Sequence, residues 1–485
     1  MKRIIRNIVI FLILLALIPT FHLIAGAALP DYYQDSYYAE LPLMYERLNN
    51  VQGPKIVVVG GSNVAFGLDT ALLEELLAEK GVDYTVCSFG LYAAVGTSAM
   101  LDLSRDTLNE GDIVILAIEP TAETMSTYFG ATAFWKCAEN APELLLAVNL
   151  DKQTALFWDY ITYLQDRYGI LTSGVLPQVE GVYAKDSFNE RCDLIFDRAG
   201  NTMTLGFDTA EPVDLANLAI TKDFTEQVNQ YCRAAAKAGA QVCLSFSPVN
   251  RTSLTDASQE AVGAFFRLCA STFNCPVISD PNLYILDSGW FYDSNFHLNS
   301  AGAVVRTCAL AQDILLYLGC YEKVTYDLPE IPASIAASYE STAETGHFIY
   351  EAITGQNGET LGFRISGLTE SGLAQTELTA PALYEGKPVV GFTQDALSGA
   401  AALTQLRLPE SIEGLPDGLF RECSALTQLI LEHRSKPCSV TEHTFDAAGQ
   451  VKVFVPSEAY SMYRDGYGCE SSPWTPYLDR LFPYS

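Results

Sequence analysis

Three polar side chains have the chemical types that nucleophilic catalysis by a serine requires. Ser62 stands directly after a β-branched run, Lys55–Val59, and a pair of glycines that allow a sharp turn. His297 is the only histidine between residues 54 and 320, and Asp293 lies four residues before it. A serine hydroxyl is a poor nucleophile until a base takes its proton, and a histidine needs a carboxylate to fix its tautomer. The sequence therefore offers a nucleophile, a base and an orienting acid.

Each of these residues also has an ordinary structural interpretation. Turns between a strand and a helix often contain Gly and Ser, so Ser62 can simply belong to such a turn. His297 can equally be a buried histidine that packs in the core. The two interpretations differ in geometry, because a catalytic pair needs the Ser62 hydroxyl within about 2.6–3.5 Å of a His297 nitrogen.

The chain around these residues alternates between strand and helix patterns. Short apolar runs predict strands, and segments with a helical apolar period predict helices. Alternating β and α units imply a parallel, doubly wound sheet with right-handed crossovers. Ligands bind at the carboxyl edge of such a sheet, which is where Ser62 is expected. The predicted strands are Lys55–Val59, Val82–Phe89, Ile113–Ile118, Gln241–Phe246 and Pro276–Ser279, and the predicted helices are Asp69–Lys80, Asp223–Gly239, Ser258–Thr272 and Ala301–Leu318.

Between residues 121 and 214 the alternation lapses. This insert is rich in aromatic residues, and Phe196–Leu205 in its second half has the pattern of a hairpin. An insert that follows a central strand lies near the carboxyl edge of the sheet, so it is placed to cover a cleft there. Extra core for a large domain is an equally good interpretation.

An internal repeat follows a linker at residues 321–346. The pentapeptide Ala402–Leu406 recurs as Ala425–Leu429, an offset of 23 residues. A period of this length with Leu-x-Leu strands is typical of a leucine-rich solenoid, in which each repeat covers its neighbour. The segment resembles the BspA-like leucine-rich repeats of bacterial surface proteins, notably at the turn Phe420–Leu426. We therefore predict a short repeat domain at residues 347–485.

The N-terminus predicts export. Three basic residues precede an apolar run at 8–29 that is long enough to cross a bilayer of about 30 Å as a helix. Positive charge before such a run keeps the N-terminus in the cytoplasm and sends the rest outside. Small residues around Ala27 also fit a cleavage site, so residues 1–30 are either a membrane anchor or a signal peptide cleaved after Ala27. We predict an extracytoplasmic protein, tethered to the cell membrane by this helix or secreted, with a stalk at 31–53.

Composition excludes several classes of function. The chain has 485 residues with 58 Asp and Glu against 29 Lys and Arg, a net charge of −29, and such an acidic surface repels nucleic-acid phosphates. Glycine loops of the P-loop or dinucleotide-binding type are absent from the sequence. One histidine is too few for a metal centre in the α/β unit, and no Cys-x-x-Cys pair occurs. We expect no cofactor, no metal and no nucleic-acid partner.

The segments around Ser62 and His297 resemble the SGNH (GDSL-type) hydrolase family, most closely its membrane-anchored extracytoplasmic branch, over about residues 55–318. The resemblance rests on the Gly-Ser pair ending at Ser62, on Gly90 after the second strand, and on Asp293 with His297 before the last helix. It implies a flavodoxin-like α/β fold in which Ser62 is the nucleophile, His297 the base and Asp293 the orienting acid. It also implies that the amides of Ser62 and Gly90 hold the oxyanion.

Two departures from the family pattern are visible. The acid and base are spaced D-x-x-x-H, whereas the family usually has D-x-x-H. The family has an oxyanion Asn after the third strand, where this chain has Ile118-Glu119-Pro120. Loss of one oxyanion donor costs about 2.7–4 kcal/mol of transition-state stabilisation, and a carboxylate opposes the developing negative charge. Asn250, after a later strand, is the candidate substitute.

These features predict a cell-envelope serine esterase or O-acyltransferase that acts through an acyl-Ser62 intermediate on an acylated carbohydrate or surface polymer. The catalytic unit is residues 54–320. The repeats are expected to contact the polymer or other surface proteins and to contribute no chemistry. The alternative is a non-catalytic surface protein, in which a degenerate scaffold binds glycan and the repeats mediate adhesion.

Overall fold

A computed structural model of the chain describes residues 20–21, 26, 28–91, 93–173, 181–337, 339–340, 343–355, 358–446, 448–465 and 472–484. The predicted anchor or signal peptide lies almost entirely outside these residues, as does its cleavage position at Ala27. Among the helices that are described, none is both long and apolar enough to span a bilayer.

A four-stranded parallel sheet forms the centre of the first 320 residues, with the strand order β2-β1-β3-β4. Val57 and Val59 pack into a hydrophobic cluster on one face, and Ile56 and Val58 into a cluster on the other. Burial on both faces explains the unbroken apolar pattern of the strand. The strands are β1 (Lys55–Gly60), β2 (Thr85–Phe89), β3 (Ile113–Ala117) and β4 (Gln241–Leu244).

The prediction of a fifth strand at Pro276–Ser279 is wrong, because this segment does not form a full strand. Within it, a single parallel bridge joins Val277 to Leu244 at the edge of β4. Short strands that follow β4 pair with each other instead of with the central sheet. They are β5 (Val249–Asn250) and β6 (Ile285–Leu286).

The four predicted helices of this unit form within two residues of their expected ends. Asp69 caps one of them by accepting from the Leu72 amide, and Asn299 caps another by accepting from the Gly302 amide. Such caps satisfy amides that have no acceptor inside the helix. The helices are α1 (Glu40–Asn50), α2 (Ser62–Gly67), α3 (Thr70–Ala78), α4 (Thr97–Arg105), α5 (Ala131–Cys137), α6 (Glu143–Ala147), α7 (Leu150–Ser173), α8 (Lys222–Ala238), α9 (Gln259–Thr272) and α10 (Ser300–Tyr317).

The segment expected to be a stalk, residues 31–53, packs into the α/β unit. One face of α1 buries Leu41, Met44 and Leu48 in the same hydrophobic cluster as part of β1. Tyr37, just before α1, is buried and donates its hydroxyl to the Leu91 carbonyl, 2.7 Å away. Helix α1 is therefore a structural part of the domain.

The hairpin expected at Phe196–Leu205 is wrong. An antiparallel bridge occurs earlier, between Phe188 and Leu194. The guanidinium of Arg198 binds the carbonyl oxygens of Leu194 and Phe196. These carbonyls are therefore used by a side chain, not by a partner strand.

Residues 321–337, in the predicted linker, contain no helix or strand. They lie against the insert, because the Ile335 amide donates to the Asn201 carbonyl, 2.9 Å away. Further along, the hydroxyls of Tyr339 and Thr204 are 3.1 Å apart. The linker between the two units is therefore hydrogen-bonded to the insert.

Residues 348–484 form two further sheets around one hydrophobic core. The larger sheet is parallel in the order β15-β14-β13-β12-β9, and Leu406 pairs with Leu429, which pairs with Val453. The repeat offset read from the sequence therefore matches the register of β12 and β13. The elements are β7 (Phe348–Thr354), β8 (Thr360–Leu368), α11 (Glu370–Leu373), β9 (Glu377–Thr379), β10 (Leu383–Tyr384), β11 (Lys387–Phe392), β12 (Gln405–Leu408), β13 (Gln428–Leu431), β14 (Lys452–Pro456), α12 (Tyr460–Asp465) and β15 (Leu481–Tyr484).

The packing of α1 can be tested by truncating its buried side chains. Leu41→Ala or Met44→Ala should lower the free energy of unfolding by about 2–5 kcal/mol, because each leaves a cavity in the core. Leu43, which is 40% exposed on the same helix, is the matched control. Leu43→Ala should change the stability by less than about 0.5 kcal/mol. Urea unfolding of the full chain, followed by near-UV circular dichroism, measures all three, and equal losses would contradict the docked position of α1.

Candidate active site

Ser62 is the first residue of α2, at the carboxyl end of β1. Asn63 braces this turn, because its Nδ2 donates to the Ala117 carbonyl at 2.8 Å and its Oδ1 accepts from the Gly61 amide at 3.0 Å. A Cβ at Gly60 would lie 2.6 Å from the Ala117 carbonyl oxygen, so the turn needs glycine there. The nucleophile candidate is thus fixed where β1 and β3 end.

His297 and Asp293 lie in a tight loop before α10. The Tyr292 amide donates to the His297 carbonyl at 2.8 Å and closes the loop. Inside it, Ser294 Oγ accepts from the His297 amide at 3.1 Å. This turn brings the carboxylate and the imidazole together across the D-x-x-x-H spacing.

The three predicted catalytic side chains form one hydrogen-bonded chain. His297 Nε2 lies 2.7 Å from Ser62 Oγ, and His297 Nδ1 lies 2.7 Å from Asp293 Oδ1. An ionised carboxylate only accepts, so Nδ1 carries the proton and Nε2 is free to accept from the Ser62 hydroxyl. All three side chains are largely shielded from solvent. This geometry allows the imidazole to take the serine proton.

Asp293 has a second partner from the insert. The Tyr183 hydroxyl donates to Asp293 Oδ2 at 2.7 Å. Burial by itself raises the pKa of Asp293, but the adjacent His297 and the hydrogen bonds from His297 and Tyr183 outweigh it and hold that pKa below its ordinary value. The acid therefore stays ionised at neutral pH, as stabilisation of an imidazolium requires. Tyr183 was not identified from the sequence, since no local pattern marks a residue 110 positions away.

Packing also fixes the plane of the imidazole. The Phe66 ring stacks on the His297 ring, with centroids 3.9 Å apart and an angle of 11° between the planes. Arg198 from the insert lies over the Phe66 ring and donates through Nε to the Leu298 carbonyl at 3.1 Å. Burial lowers the pKa of Arg198 to about 10, so the guanidinium remains charged at neutral pH. Phe66 and Arg198 are further positioning residues that sequence reasoning missed.

Gly90 packs directly against the turn that carries Ser62. A Cβ at Gly90 would come within 2.6 Å of the Gly61 carbonyl oxygen, so no other residue fits without a shift. The Ser62 amide lies in the first turn of α2, where N–H groups have no acceptor inside the helix. The two backbone segments expected to hold an oxyanion are therefore adjacent.

The side chain of Asn250 forms hydrogen bonds with residues other than Ser62. Its Nδ2 donates to the Gly206 carbonyl at 2.8 Å, and its Oδ1 accepts from the Thr252 amide at 3.1 Å. No hydrogen bond among the described residues joins Asn250 to Ser62. The expectation that Asn250 replaces the missing oxyanion Asn gains no support from these bonds, which join its side chain to the nearby Thr252 and to Gly206, 44 positions away.

Glu119 occupies the position after β3 where a donor was expected. Its Oε1 accepts from the Asn63 amide at 3.0 Å and lies 3.4 Å from Ser62 Oγ. Arg306, buried nearby, donates through Nη1 to the Asn63 carbonyl at 3.0 Å. Burial of the carboxyl outweighs these neighbours and raises the pKa of Glu119 above its ordinary value. A raised pKa favours the neutral acid, which does not repel an oxyanion beside Ser62.

Residues of the unit at 348–484 contact a segment of the insert that packs against the loop of Asp293 and His297. Asn295, inside that loop, accepts from the Asp208 amide at 2.8 Å and donates to the Asp208 carbonyl at 2.9 Å. Asp208 also lies 3.8 Å from the Lys436 ammonium, and the Thr209 hydroxyl donates to Glu413 at 2.8 Å. Burial, reinforced by Asp208, raises the pKa of Glu413 to about 7. The repeats are therefore linked mechanically to the loop that carries His297.

No family model matches the chain, and no curated protein matches it. Among solved structures, the chain is similar to the leucine-rich repeat protein of T. pallidum, with 16% identity and a TM-score of 0.18. This similarity covers 24% of the chain and 56% of that protein. The chain therefore spans little more than half the length of the T. pallidum protein. A TM-score of 0.18 is too low to support any inference about the site.

The protonation of Glu119 can be tested by Glu119→Gln, which keeps the shape of the side chain and removes its charge. Since the pKa of Glu119 is raised in the folded state, the wild-type chain loses stability as the pH rises through that pKa, whereas the variant does not. The melting temperature of the variant should exceed that of the wild type at about pH 8, and the difference should shrink towards about pH 4.

Melting temperatures measured across this pH range provide the test. Exposed Glu110 supplies the matched control, and Glu110→Gln should show no such trend. A difference between Glu119→Gln and wild type that does not vary with pH would contradict the raised pKa.

Proposed function

We propose that the protein is an extracytoplasmic serine esterase or O-acyltransferase with a catalytic unit of the SGNH-hydrolase type at residues 54–320. The observation that carries the proposal is the hydrogen-bonded chain from Ser62 through His297 to Asp293, with 2.7 Å at each step. The strand order β2-β1-β3-β4 supports a flavodoxin-like sheet, in which ligands bind at the carboxyl edge.

In the first half of the reaction, Ser62 Oγ attacks the carbonyl carbon of an ester and His297 Nε2 takes the hydroxyl proton. A tetrahedral intermediate forms, and the amides of Ser62 and Gly90 hold its oxyanion. His297 then gives the proton to the leaving alcohol oxygen as the bond between carbon and that oxygen breaks. The acyl group remains on Ser62.

In the second half, the acyl group leaves the enzyme. A water molecule, or the hydroxyl of an acceptor sugar, gives its proton to His297 while its oxygen attacks the acyl carbon. The bond to Ser62 Oγ breaks, and the proton returns to that oxygen. Asp293 stays ionised throughout and stabilises the imidazolium, while Tyr183 holds the carboxylate in place. Side chains and backbone supply every group, so the proposed reaction needs no cofactor.

The proposed substrate is an acylated carbohydrate or surface polymer of the cell envelope. The five-stranded parallel sheet of residues 377–484 supports the proposal of a BspA-like leucine-rich solenoid. This domain would contact the polymer or another surface protein. Its contacts at Asp208 and Thr209 also give it a part in holding the catalytic loop.

A non-catalytic glycan-binding protein is the second candidate. The observation that favours it is Glu119, which takes the place of an oxyanion donor 3.4 Å from Ser62 Oγ. A purely binding role does not require the Ser62 hydroxyl, since catalysis alone depends on its proton. Substitution of the triad residues separates the two functions.

Hydrolysis of an aryl acetate by the full chain tests the proposal. Ser62→Ala and His297→Gln should each lower kcat/KM at least about a thousandfold, because both act on the reacting proton. Asp293→Ala should cost less than Ser62→Ala. Tyr183→Phe removes one hydrogen bond of about 1 kcal/mol and should lower kcat/KM roughly fivefold.

Tyr326, which is half exposed in the linker, is the matched control for Tyr183. Tyr326→Phe should leave kcat/KM unchanged. Full activity in Ser62→Ala or His297→Gln would reject the enzyme and leave the binding protein as the better interpretation.

A further inference from the structure

Helix α7 in the insert presents an apolar face to solvent. Leu150, Phe157, Trp158 and Ile161 are each between 55% and 74% exposed. Residues seven and eleven positions apart lie on the same side of a helix, so Leu150, Phe157 and Ile161 form one stripe with Trp158 beside it. Single exposed apolar residues are common, but contiguous ones mark an interaction site.

Most of this face is uncharged, although the chain has a net charge of −29 and exposed Asp151 lies in the first turn of the helix, seven positions before Trp158. Between Gln153 and Gln165 the helix has one charged residue, Asp159. Asp159 is half-buried and accepts from the Thr132 hydroxyl on α5, so it faces the domain. The exposed surface of this stretch is therefore aromatic, aliphatic or uncharged polar.

The same helix holds the end of the N-terminal apolar run. Arg167 on α7 donates to the carbonyl oxygens of Gly26 and Leu29, at 3.1 Å and 2.8 Å. Gly26 also packs against α7, since a Cβ there would lie 2.1 Å from the Tyr160 hydroxyl oxygen. The long apolar segment at 8–29 thus ends beside α7, with most of its residues outside the described part of the chain.

A lipid surface fits these observations better than a second protein. A helix that crosses the bilayer and ends at Leu29 would place α7 at the level of the lipid headgroups. Trp and Tyr favour that level because their rings are amphipathic, and Trp158 and Tyr168 both lie on α7. The missing basic residues point to a bilayer with neutral or zwitterionic headgroups, because anionic lipids attract Lys and Arg.

We propose that the exposed face of α7, formed by Leu150, Phe157, Trp158 and Ile161, docks on the outer surface of the lipid bilayer. This goes beyond the proposed catalysis, and it rests on the proposed extracytoplasmic placement with residues 1–30 as an uncleaved anchor. The insert that carries α7 also supplies Tyr183 to Asp293. Docking would therefore fix the catalytic edge relative to the membrane.

Quenching of tryptophan fluorescence by brominated lipid tests this contact. The full chain is reconstituted in phosphatidylcholine vesicles with and without bromine on the acyl chains. Trp158 is the most exposed of the four tryptophans, and residues 1–30 contain none, so an anchor cannot cause the quenching. Brominated lipid should quench the wild type, and Trp158→Phe should remove most of that quenching.

A charged variant and its control complete the test. Phe157→Glu with Ile161→Glu, which retains Trp158, should also lose most of the quenching, because two apolar contacts with the acyl region are lost and an ionised carboxylate resists leaving water. Ile195→Glu with Leu283→Glu changes two equally exposed apolar residues elsewhere on the unit and should leave it intact. Absence of quenching in the wild type would overturn the proposal and favour a protein partner for this face. Undiminished quenching in Trp158→Phe would overturn it as well.

Discussion

The hydrogen bond between Ser62 and His297 is the contact on which the candidate site depends. It joins residues 235 positions apart, so the end of the first strand must meet the loop before the last helix of the unit. The parallel sheet positions the end of β1. Helix α10 is joined to the turn after β1 because Arg306 donates to the Asn63 carbonyl. Stacking of Phe66 then fixes the imidazole plane.

Two buried acids near this bond have opposite electrostatic requirements. Asp293 must be ionised to stabilise an imidazolium, and its partners His297 and Tyr183 lower its pKa against the effect of burial. Glu119 lies 3.4 Å from Ser62 Oγ, and burial prevails there and raises its pKa. Environments that push the pKa values of neighbouring acids apart are typical of sites that carry out acid–base chemistry. The enzyme interpretation depends on these opposite shifts in pKa.

Those parts of the candidate site that lie within a single segment could be predicted from the local sequence pattern. Residue types and spacing identified Ser62, Asp293 and His297, and the 23-residue offset predicted the register of Leu406 with Leu429. The contributions of the insert were not predictable, since Tyr183 and Arg198 reach the loop from about a hundred residues away. The surroundings of Asn250 were equally hidden, because its Nδ2 donates to the carbonyl of Gly206, 44 positions away.

Covalent labelling with a fluorophosphonate measures whether Ser62 is an activated nucleophile. The reagent reacts with activated serines, so the experiment can be done before the substrate is known. We expect one adduct per chain by intact mass, located on the Ser62 peptide, absent in Ser62→Ala and formed far more slowly in His297→Gln. Failure of the wild type to react, or an adduct that persists unchanged in Ser62→Ala, would contradict it.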